Sequence, residues 1–474
     1  MQSARLLIDG AWISGEGAAL DVRDKFTGHV IGTVAGASEA QVHAAVAAAR
    51  RSFLAHPLDG QRRYQLLART AALLEARRDE FAALITAEGG LPITDATNEV
   101  ARTAQTILVS AEEGKRLVGE VVPIESAPGQ SHRMAYTIRV PRGVVCGISS
   151  FNSPLNMVVH KVAPALASGN TVVMKPPDAA PLSATRFFEL LLEAGFPPGH
   201  LNLVHGPGAT LGPWLVANPD IAFFTFTGST GVGQWLHAHV GLRPVALELG
   251  SIAATIVCED ADLDRAAARS AASGFRRAGQ MCTSTQRLFV HDAVLEPFTE
   301  KLLTAVRALK VGDPRDPKTD VGPMISEAEA ARAEVWVREA VSAGARLLAG
   351  GRRDGSVFHP TVLAGVDATQ KVVCEEIFAP VLSLIPFSDL DAAIDAANAT
   401  RFGLAVGLFT NDLSRAMRAT RRLHFGVVHL NESSSSRVDL IPFSGVKQSG
   451  LGREGPKYAM QEMTEERLVT ISLS

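Results

Sequence analysis

The segment GQMCTSTQR places Cys282 among small polar residues, between a helix-like stretch over 266–279 and the apolar run RLFVH. A turn of this kind exposes a thiol and aims backbone N–H groups at a developing oxyanion. Cys282 is therefore a candidate nucleophile for a carbonyl carbon. A buried structural role is commoner for a lone cysteine, so the assignment needs support from the rest of the chain.

Two further segments carry groups that chemistry on a carbonyl requires. Glu248 lies inside the apolar run PVALELG, and a buried carboxylate with a raised pKa suits a general base near neutral pH. Asn152 lies in the turn FNSPLN after the strand-like GVVCGISS, where its amide can stabilise an alkoxide. The alternatives are a salt-bridged glutamate at a strand end and an asparagine that stabilises a turn.

Two other segments have the character of a dinucleotide site. FTFTGSTGVG predicts a strand, a Gly-rich turn and a helix start, whose free N–H groups suit a pyrophosphate, although the strict GxGxxG pattern is absent. TVVMKPPD ends a strand with Lys175, which together with Asp178 can bond ribose hydroxyls. An ordinary Gly turn and an ordinary charged pair are the alternatives.

A regular alternation of strands and helices must position these groups. SEAQVHAAVAAARRSF predicts a helix from Ser38 to Phe53, capped by Ser38 with Gln41 as its capping-box partner, and two more helices are expected around Pro92. Short apolar runs then alternate with helix-length segments from GVVCGISS to PVALELG, and again from ATIVCE to about Asn431. This predicts an α/β fold with two doubly wound parallel sheets.

The composition narrows the class of protein. The chain of 474 residues is 46% hydrophobic, and 46 Lys and Arg stand against 49 Asp and Glu, so several domains and no nucleic-acid partner are expected. The four cysteines are far apart and the histidines are not clustered, which predicts neither disulfides nor a metal site. Without an export signal or a run of ~20 apolar residues, we expect a cytoplasmic protein with no membrane partner.

The order of seven motifs on one chain resembles the aldehyde dehydrogenase superfamily over essentially the full length. The motifs are PRGVVCGISSFNSP, TVVMKPPDAAPLSA, FTGSTGVG, LELG, GQMCTSTQR, EEIFAPV and PFSGVKQSGLGRE. The ending GREGPKYAMQEMTEERLV is most similar to the branch that contains lactaldehyde and non-phosphorylating glyceraldehyde-3-phosphate dehydrogenases.

The resemblance implies NAD(P)-dependent oxidation of an aldehyde to a carboxylic acid. Cys282 would attack the aldehyde to form a thiohemiacetal, with Asn152 and the backbone N–H of Cys282 as the oxyanion hole. A thioester on Cys282 would follow, and water activated by Glu248 would hydrolyse it. The expected cofactor ligands are Lys175, Asp178, Gly208, Ser229, Leu249, Glu376 and Phe378. Asp178 is included because of its position after Lys175, and not because of the resemblance.

The cofactor preference rests on Asp178. Its carboxylate would accept a hydrogen bond from the ribose 2′-OH and repel a 2′-phosphate, so we expect NAD to be preferred over NADP.

The resemblance also implies a three-part chain that forms a homodimer or homotetramer. Residues 1–118 and 142–250 would form the dinucleotide-binding domain, residues 251–445 the catalytic domain, and residues 119–141 and 446–474 an oligomerisation arm. Its hairpin and the terminal strand EERLVTISLS are expected to pair across a subunit boundary.

The expected substrate-facing residues are Phe151, Met281, Thr283 and Arg437. Arg437 follows the polar run ESSSS and is a candidate partner for an anionic substrate tail, with a solvated loop arginine as the alternative. Met281 replaces an arginine that phosphate-handling relatives can carry, which disfavours phosphorylated aldehydes. Phe151 replaces a common tryptophan and predicts a slightly wider pocket.

Several glycines common in the family are replaced, which predicts altered packing beside the cofactor and the substrate tunnel. The replacements are Ser251, Ala379 and Ser444. Two rival functions fit the same fold: an acylating dehydrogenase that passes the thioester to coenzyme A, and a non-catalytic protein that keeps only the fold. The presence of Glu248 argues against the first, and the presence of Cys282, Asn152 and Glu248 together argues against the second.

Overall fold

A computed structural model describes residues 2–473, and its helices follow the apolar periodicity of the sequence. The first helix confirms the predicted capping box, because the Ser38 side chain accepts from the Gln41 N–H and the Gln41 side chain accepts from the Ser38 N–H. The helices in chain order are α1 (Glu39–Ala55), α2 (Gly60–Ala76), α3 (Arg78–Gly89), α4 (Ile93–Gly114), α5 (Asn156–Ala167), α6 (Leu182–Ala194), α7 (Gly208–Ala217), α8 (Thr230–His239), α9 (Leu263–Phe275), α10 (Leu295–Ala308), α11 (Glu327–Ser342), α12 (Lys371–Cys374), α13 (Leu390–Asn398), α14 (Leu413–Arg422) and α15 (Pro456–Glu462).

The strands are short, as the apolar runs between turn residues predict. In chain order they are β1 (Gln2–Ala4), β2 (Leu6–Ile8), β3 (Ala11–Ile13), β4 (Ala19–Arg23), β5 (Val30–Ala35), β6 (Val121–Val122), β7 (Arg133–Pro141), β8 (Val144–Ile148), β9 (Thr171–Lys175), β10 (Leu201–Leu203), β11 (Ile221–Thr227), β12 (Val245–Glu248), β13 (Ala254–Val257), β14 (Arg287–His291), β15 (Arg346–Ala349), β16 (Arg353–Asp354), β17 (Val357–Phe358), β18 (Thr361–Ala364), β19 (Val381–Phe387), β20 (Ala405–Phe409), β21 (Val427–Leu430), β22 (Gly450–Leu451) and β23 (Thr464–Ser472).

The first sheet has eight strands in the order β22-β12-β11-β8-β9-β10-β2-β3, and its five central strands, β12 to β10, run parallel. Its register sets Thr227 beside Glu248 and Ile148 beside Lys175, so the carboxyl ends of four strands meet at one edge. That edge is where open α/β sheets bind ligands. Apolar cores lie on both faces of the sheet.

The second sheet has seven strands in the order β15-β18-β19-β14-β13-β20-β21, and every pair except β15 with β18 is parallel. It ends at Leu430, as the second region of alternation predicts. The segments that enter β13, β14 and β19 contain Gly250, Cys282 and Glu376. The amino ends of these strands therefore face the carboxyl edge of the first sheet, and the predicted α/β fold is confirmed.

A third sheet, β23-β7-β6, is built from the two segments in which the oligomerisation arm is expected. β7 and β23 pair antiparallel from Thr464 with Pro141 to Ser472 with Arg133, within one chain. Part of the segment expected in the arm lies elsewhere: β22 pairs antiparallel with β12, and α15 packs against α4 and α5. Residues 450–462 thus belong by their contacts to the first domain, because the apolar face of α15 is buried there.

The N-terminal segment adds strands that the motif analysis did not predict. β1, β5 and β4 form a separate small sheet, and β2 and β3 extend the first sheet as a hairpin. No helix within residues 2–473 is long and apolar enough to cross a membrane.

Candidate active site

A cavity of about 740 Å³ opens between the two sheets. It brings together most of the predicted site residues: Phe151, Asn152, Ser229, Glu248, Leu249, Met281, Cys282, Thr283, Glu376, Phe378 and Arg437. Lys175, Asp178 and Gly208 do not line it and form a cluster of their own. Ala179 lines the cavity next to Asp178, so the cluster adjoins one end of it.

Cys282 lies in the loop between α9 and β14, partly buried. Its thiol donates a hydrogen bond to Glu248 Oε1 at 2.7 Å. The loop reaches this position through Gly279, whose φ is +68°, and an added Cβ there would lie 2.1 Å from the Ala379 carbonyl oxygen. Only glycine fits that turn, which brings the thiol to the end of β12.

Glu248 is the last residue of β12 and is 3% exposed. Burial, and next the negative charge of Glu454, raise the pKa of Glu248, and the cations Arg437 and Lys161 only partly offset them. Its second oxygen, Oε2, has no hydrogen-bond partner among the described residues. A buried carboxylate with a raised pKa and a free oxygen can accept a proton near neutral pH.

The thiol and the carboxylate influence each other. Burial, followed by the charge of Glu248, raises the pKa of Cys282 well above its usual value, so the resting thiol keeps its proton. Since Glu248 Oε1 is already in hydrogen-bond contact, it can take this proton when the sulfur attacks.

Behind the base lies a buried ion cluster. Glu454 contacts Lys161 Nζ at 3.1 Å and Arg437 Nη2 at 3.1 Å, and Lys161 also donates to Thr227 Oγ1 at 2.7 Å. Burial alone would raise the pKa of Glu454, but the charges of Lys161 and Arg437 outweigh it and lower the pKa. Glu454 therefore carries a permanent negative charge close to the candidate base.

Asn152 lies in the turn that leads from β8 into α5. Its Oδ1 accepts from Ser150 Oγ at 2.7 Å, which leaves the amide Nδ2 as the group able to donate into the cavity. Its backbone oxygen accepts from Arg277 Nη1 at 2.9 Å. The amide can therefore serve an oxyanion at Cys282.

The predicted adenosine end lies at the carboxyl edge of the first sheet. Lys175 Nζ contacts Asp178 Oδ1 at 2.5 Å, and Asp178 Oδ2 accepts from the Gly208 N–H at 3.2 Å. Asp178, Gly208 and Ser229 are exposed to solvent. The ion pair does not exclude a ribose site, because the Lys175 ammonium and the Asp178 carboxylate can each form further hydrogen bonds.

A dinucleotide fits the start of α8. In the part of the chain described here, α8 has no side-chain cap, so its first N–H groups remain for an anionic ligand. A Cβ added at Gly231 would meet nothing within 4 Å, which leaves open space beside that turn. Leu249 packs across Gly233, where an added Cβ would lie 2.2 Å from the leucine Cδ2.

The predicted nicotinamide end contains Glu376 and Phe378. Glu376 Oε1 accepts from the Ser251 N–H at 2.8 Å, and burial raises the pKa of Glu376 to about 7. Phe378 adopts a left-handed backbone with φ of +49° and meets Phe151 edge to face at 5.9 Å between ring centroids. The Ser251 backbone N–H thus holds the glutamate, a bond that serine and the more frequent glycine provide equally.

Comparison with known proteins gives the family. The model of the aldehyde dehydrogenase family matches residues 12–469. The chain belongs to the aldehyde dehydrogenase family. It is an oxidoreductase that acts on aldehydes with NAD(P).

Relatives of this aldehyde dehydrogenase cover nearly the whole chain. It is 44% identical to a 3-sulfolactaldehyde dehydrogenase of Priestia megaterium over 99% of this chain and 98% of the relative. It is 36% identical to a lactaldehyde dehydrogenase of Methanococcus vannielii over 98% and 99%. An NADP-dependent glyceraldehyde-3-phosphate dehydrogenase from Bacillus halodurans, solved with NADP, matches with a TM-score of 0.98 at 36% identity over 100% of both chains. The predicted nearest branch is confirmed.

At the predicted substrate end of this aldehyde dehydrogenase, Met281 and Thr283 flank Cys282, and Thr283 Oγ1 bonds Ser435 Oγ at 3.1 Å. Arg437 lies in the cavity but is not a solvated loop arginine: its side chain is 13% exposed, paired with Glu454 and stacked 3.9 Å above the Phe443 ring. Its charge is therefore already matched by a carboxylate.

The cavity contains further charged residues that motif analysis missed. Arg102, Arg276, Arg277 and Arg332 line it, and Lys161 and Glu454 lie buried behind the base. The available signal for Lys161 was a lysine inside the largely apolar helix α5, since a buried ammonium requires a partner. Arg102 and Arg277 pair with the distant residues Asp439 and Glu99, and these pairings left no local signal.

Proposed function

We propose that this aldehyde dehydrogenase oxidises a small anionic aldehyde to the carboxylic acid, through a thiohemiacetal and then a thioester on Cys282. The observation that carries the proposal is the contact of 2.7 Å between the Cys282 thiol and Glu248 Oε1, in a cavity that also contains Asn152. Nucleophile, base and oxyanion donor are thereby within one site.

In the first step, Glu248 accepts the thiol proton and the sulfur attacks the aldehyde carbon. The carbonyl oxygen becomes an alkoxide, which the Asn152 amide and the backbone N–H of Cys282 stabilise. Lys175, Asp178, Ser229 and Glu376 would hold the cofactor. When bound, its nicotinamide supplies the hydride acceptor that oxidises the thiohemiacetal.

Glu248 then releases the thiol proton to solvent. In the second step the free carboxylate takes a proton from water, and the hydroxide attacks the thioester carbon. The C–S bond breaks, the sulfur recovers a proton, and the carboxylic acid leaves. The negative charge of Glu454 keeps the pKa of Glu248 raised, which favours proton acceptance from water. Acid formed without added coenzyme A supports this hydrolytic route; a requirement for coenzyme A would favour an acylating enzyme.

The anionic substrate class rests on Arg276. This residue lines the cavity and is exposed, and within residues 2–473 it forms no ion pair; its guanidinium contacts Met281 Sδ at 3.5 Å. Arg437, by contrast, is engaged by Glu454. We therefore assign the anionic tail to Arg276 instead of Arg437. The relative that acts on 3-sulfolactaldehyde has a substrate of this chemistry.

A paired set of aldehydes tests this assignment. Arg276→Met should lower kcat/KM for a carboxylate- or sulfonate-bearing aldehyde by about 10–150-fold, the worth of a charged hydrogen bond of about 1.5–3 kcal/mol. A neutral aldehyde of equal length should be unaffected. Arg437→Met serves as the matched variant and should slow both aldehydes by the same factor. An unchanged ratio in Arg276→Met would exclude the assignment.

A preference for NAD over NADP rests on Asp178, whose carboxylate is fixed by Lys175 and the Gly208 N–H at the expected ribose site. Asp178→Ser should raise kcat/KM with NADP relative to NAD. A wild-type enzyme with higher catalytic efficiency on NADP would contradict the preference.

The arm supports assembly as a homodimer or homotetramer. Its sheet exposes the apolar side chains of Met134, Ile138 and Leu468. Sedimentation of the wild type should give a dimer or tetramer, and Leu468→Asp should shift it toward monomer. A monomeric wild type would refute assembly.

A further inference from the structure

The loop before Cys282 contains a strained turn. Arg277, Ala278 and Gly279 have φ values of +54°, +52° and +68°, so two residues with side chains adopt the left-handed conformation in succession. Such backbone is unfavourable for residues other than glycine and persists only where the surroundings hold it. The contacts of Arg277 show what holds this turn.

Arg277 reaches from the second domain to the Asn152 turn of the first. It is 7% exposed, and its Nη1 donates to the Asn152 carbonyl oxygen at 2.9 Å and to Ser153 Oγ. Its Nη2 lies 3.1 Å from Glu99 Oε2 on α4, and Glu99 is 1% exposed. A buried guanidinium is thus matched by a buried carboxylate at the turn that carries the oxyanion amide.

Glu99 holds the other side of the same turn. Its Oε1 accepts from the backbone N–H groups of Leu155 and Asn156, both at 3.1 Å, at the start of α5. These are groups that a helix start leaves without intrahelical partners. The turn from Asn152 to Asn156 is therefore bonded by Arg277 at one end and by Glu99 at the other.

We propose that Arg277 and Glu99 form a positioning pair that fixes the backbone of the Asn152 turn and so aims the Asn152 amide at the oxyanion. The pair acts through Asn152 and does not contact the substrate, because both terminal nitrogens of Arg277 are engaged. It rests on the oxyanion role given to Asn152 under the proposed function. An oxyanion donor must be held in place before the reaction to be effective.

The test is a double-mutant cycle on the single-turnover rate of reduced-cofactor formation. Arg277→Met should slow that rate about 10–100-fold, less than the about 10²–10³-fold loss expected when an oxyanion donor is removed, as in Asn152→Ala. In the Asn152→Ala background, Arg277→Met should cost at most about 2-fold, since the group it positions is absent. Arg277→Lys should restore part of the rate.

Control variants separate positioning from folding. Glu99→Gln with Arg277→Met removes both buried charges together and should fold where a single change leaves one charge unmatched. Arg142→Met removes a partly buried arginine that bonds the Glu462 carbonyl far from the cavity, and should keep the wild-type rate. Alkylation of Cys282 by iodoacetamide needs no oxyanion donor and should be unchanged in Arg277→Met.

The outcomes distinguish the two claims. A slow Asn152→Ala enzyme in which Arg277→Met costs the same factor as in wild type would overturn the positioning pair alone. A rise in KM for anionic aldehydes only, with kcat kept, would show that Arg277 binds substrate and would also overturn the pair. A wild-type single-turnover rate in Asn152→Ala would overturn the oxyanion role itself.

Discussion

Replacing Glu248 by glutamine should separate acylation from hydrolysis. Glutamine keeps the volume and one oxygen able to accept the Cys282 thiol hydrogen bond, but it cannot take a proton. Oε2 is buried and has no partner among the described residues, so an NH2 group there loses no existing contact, and folding should be retained. The defect should therefore be chemical.

Its magnitude follows from the two duties of the base. Loss of a general base costs about 10²–10⁴-fold, or about 2.7–5.5 kcal/mol of barrier, in the hydrolytic step. Acylation should slow less, because the thiol can lose its proton to water. In rapid mixing, the variant should form at most one equivalent of reduced cofactor per site and then stall.

The trapped acyl group provides the second measurement. Intact mass should show one acyl adduct, and peptide mapping should place it on Cys282. Glu88→Gln is the control for loss of a fully buried carboxylate outside the cavity. Because both Glu88 oxygens accept backbone N–H groups, this variant should be less stable, but its turnover per folded enzyme should be normal. Near-normal turnover by Glu248→Gln, or an adduct on Cys146, Cys258 or Cys374, would refute the assigned roles.

Three further predictions concern pH and stability. Because burial and Glu454 raise the pKa of Glu248, activity should rise with pH through an apparent pKa above the ordinary carboxyl value of about 4.3; Glu454→Gln should move this limb of the kcat/KM profile to lower pH, and a move to higher pH would contradict the electrostatics. Arg287 is buried and donates to the carbonyls of Ile252, Ala396 and Ala397, so Arg287→Met should leave buried acceptors unmatched and lower stability by about 2–4 kcal/mol in denaturant titrations. Gly279→Ala should lower Tm far more than Gly355→Ala. A Cβ added at Gly355, where φ is +60°, meets nothing within 4 Å, so that variant bears only the conformational cost of about 1–2 kcal/mol. Equal shifts in Tm would refute the clash at Gly279.

The sequence by itself determined the elements and indicated the candidate reactive groups. The capping box of Ser38 and Gln41 and the alternation of strands and helices are local patterns, and hydrogen bonding within a few residues enforces them. Cys282, Glu248 and Asn152 could be proposed because each lies in a short motif next to a strand end. Parallel strands bring their ends to a common edge, so these motifs meet once the α/β fold is correct.

Tertiary structure decided which charges remain available. The motifs pointed to Arg437 as the cation for an anionic tail, yet Glu454 engages it. Arg276, which no motif singled out, has no described carboxylate as an ion-pair partner. The contact of Arg277 with Glu99 joins two domains across the cavity. Likewise, residues 450–462 belong by their contacts to the first domain, because β22 pairs with β12 and α15 packs against α5. Both partners are far away in the sequence. The apolar periodicity of the sequence predicts that a side chain is buried. The residue that it then contacts depends on packing between distant segments, which no local pattern predicts.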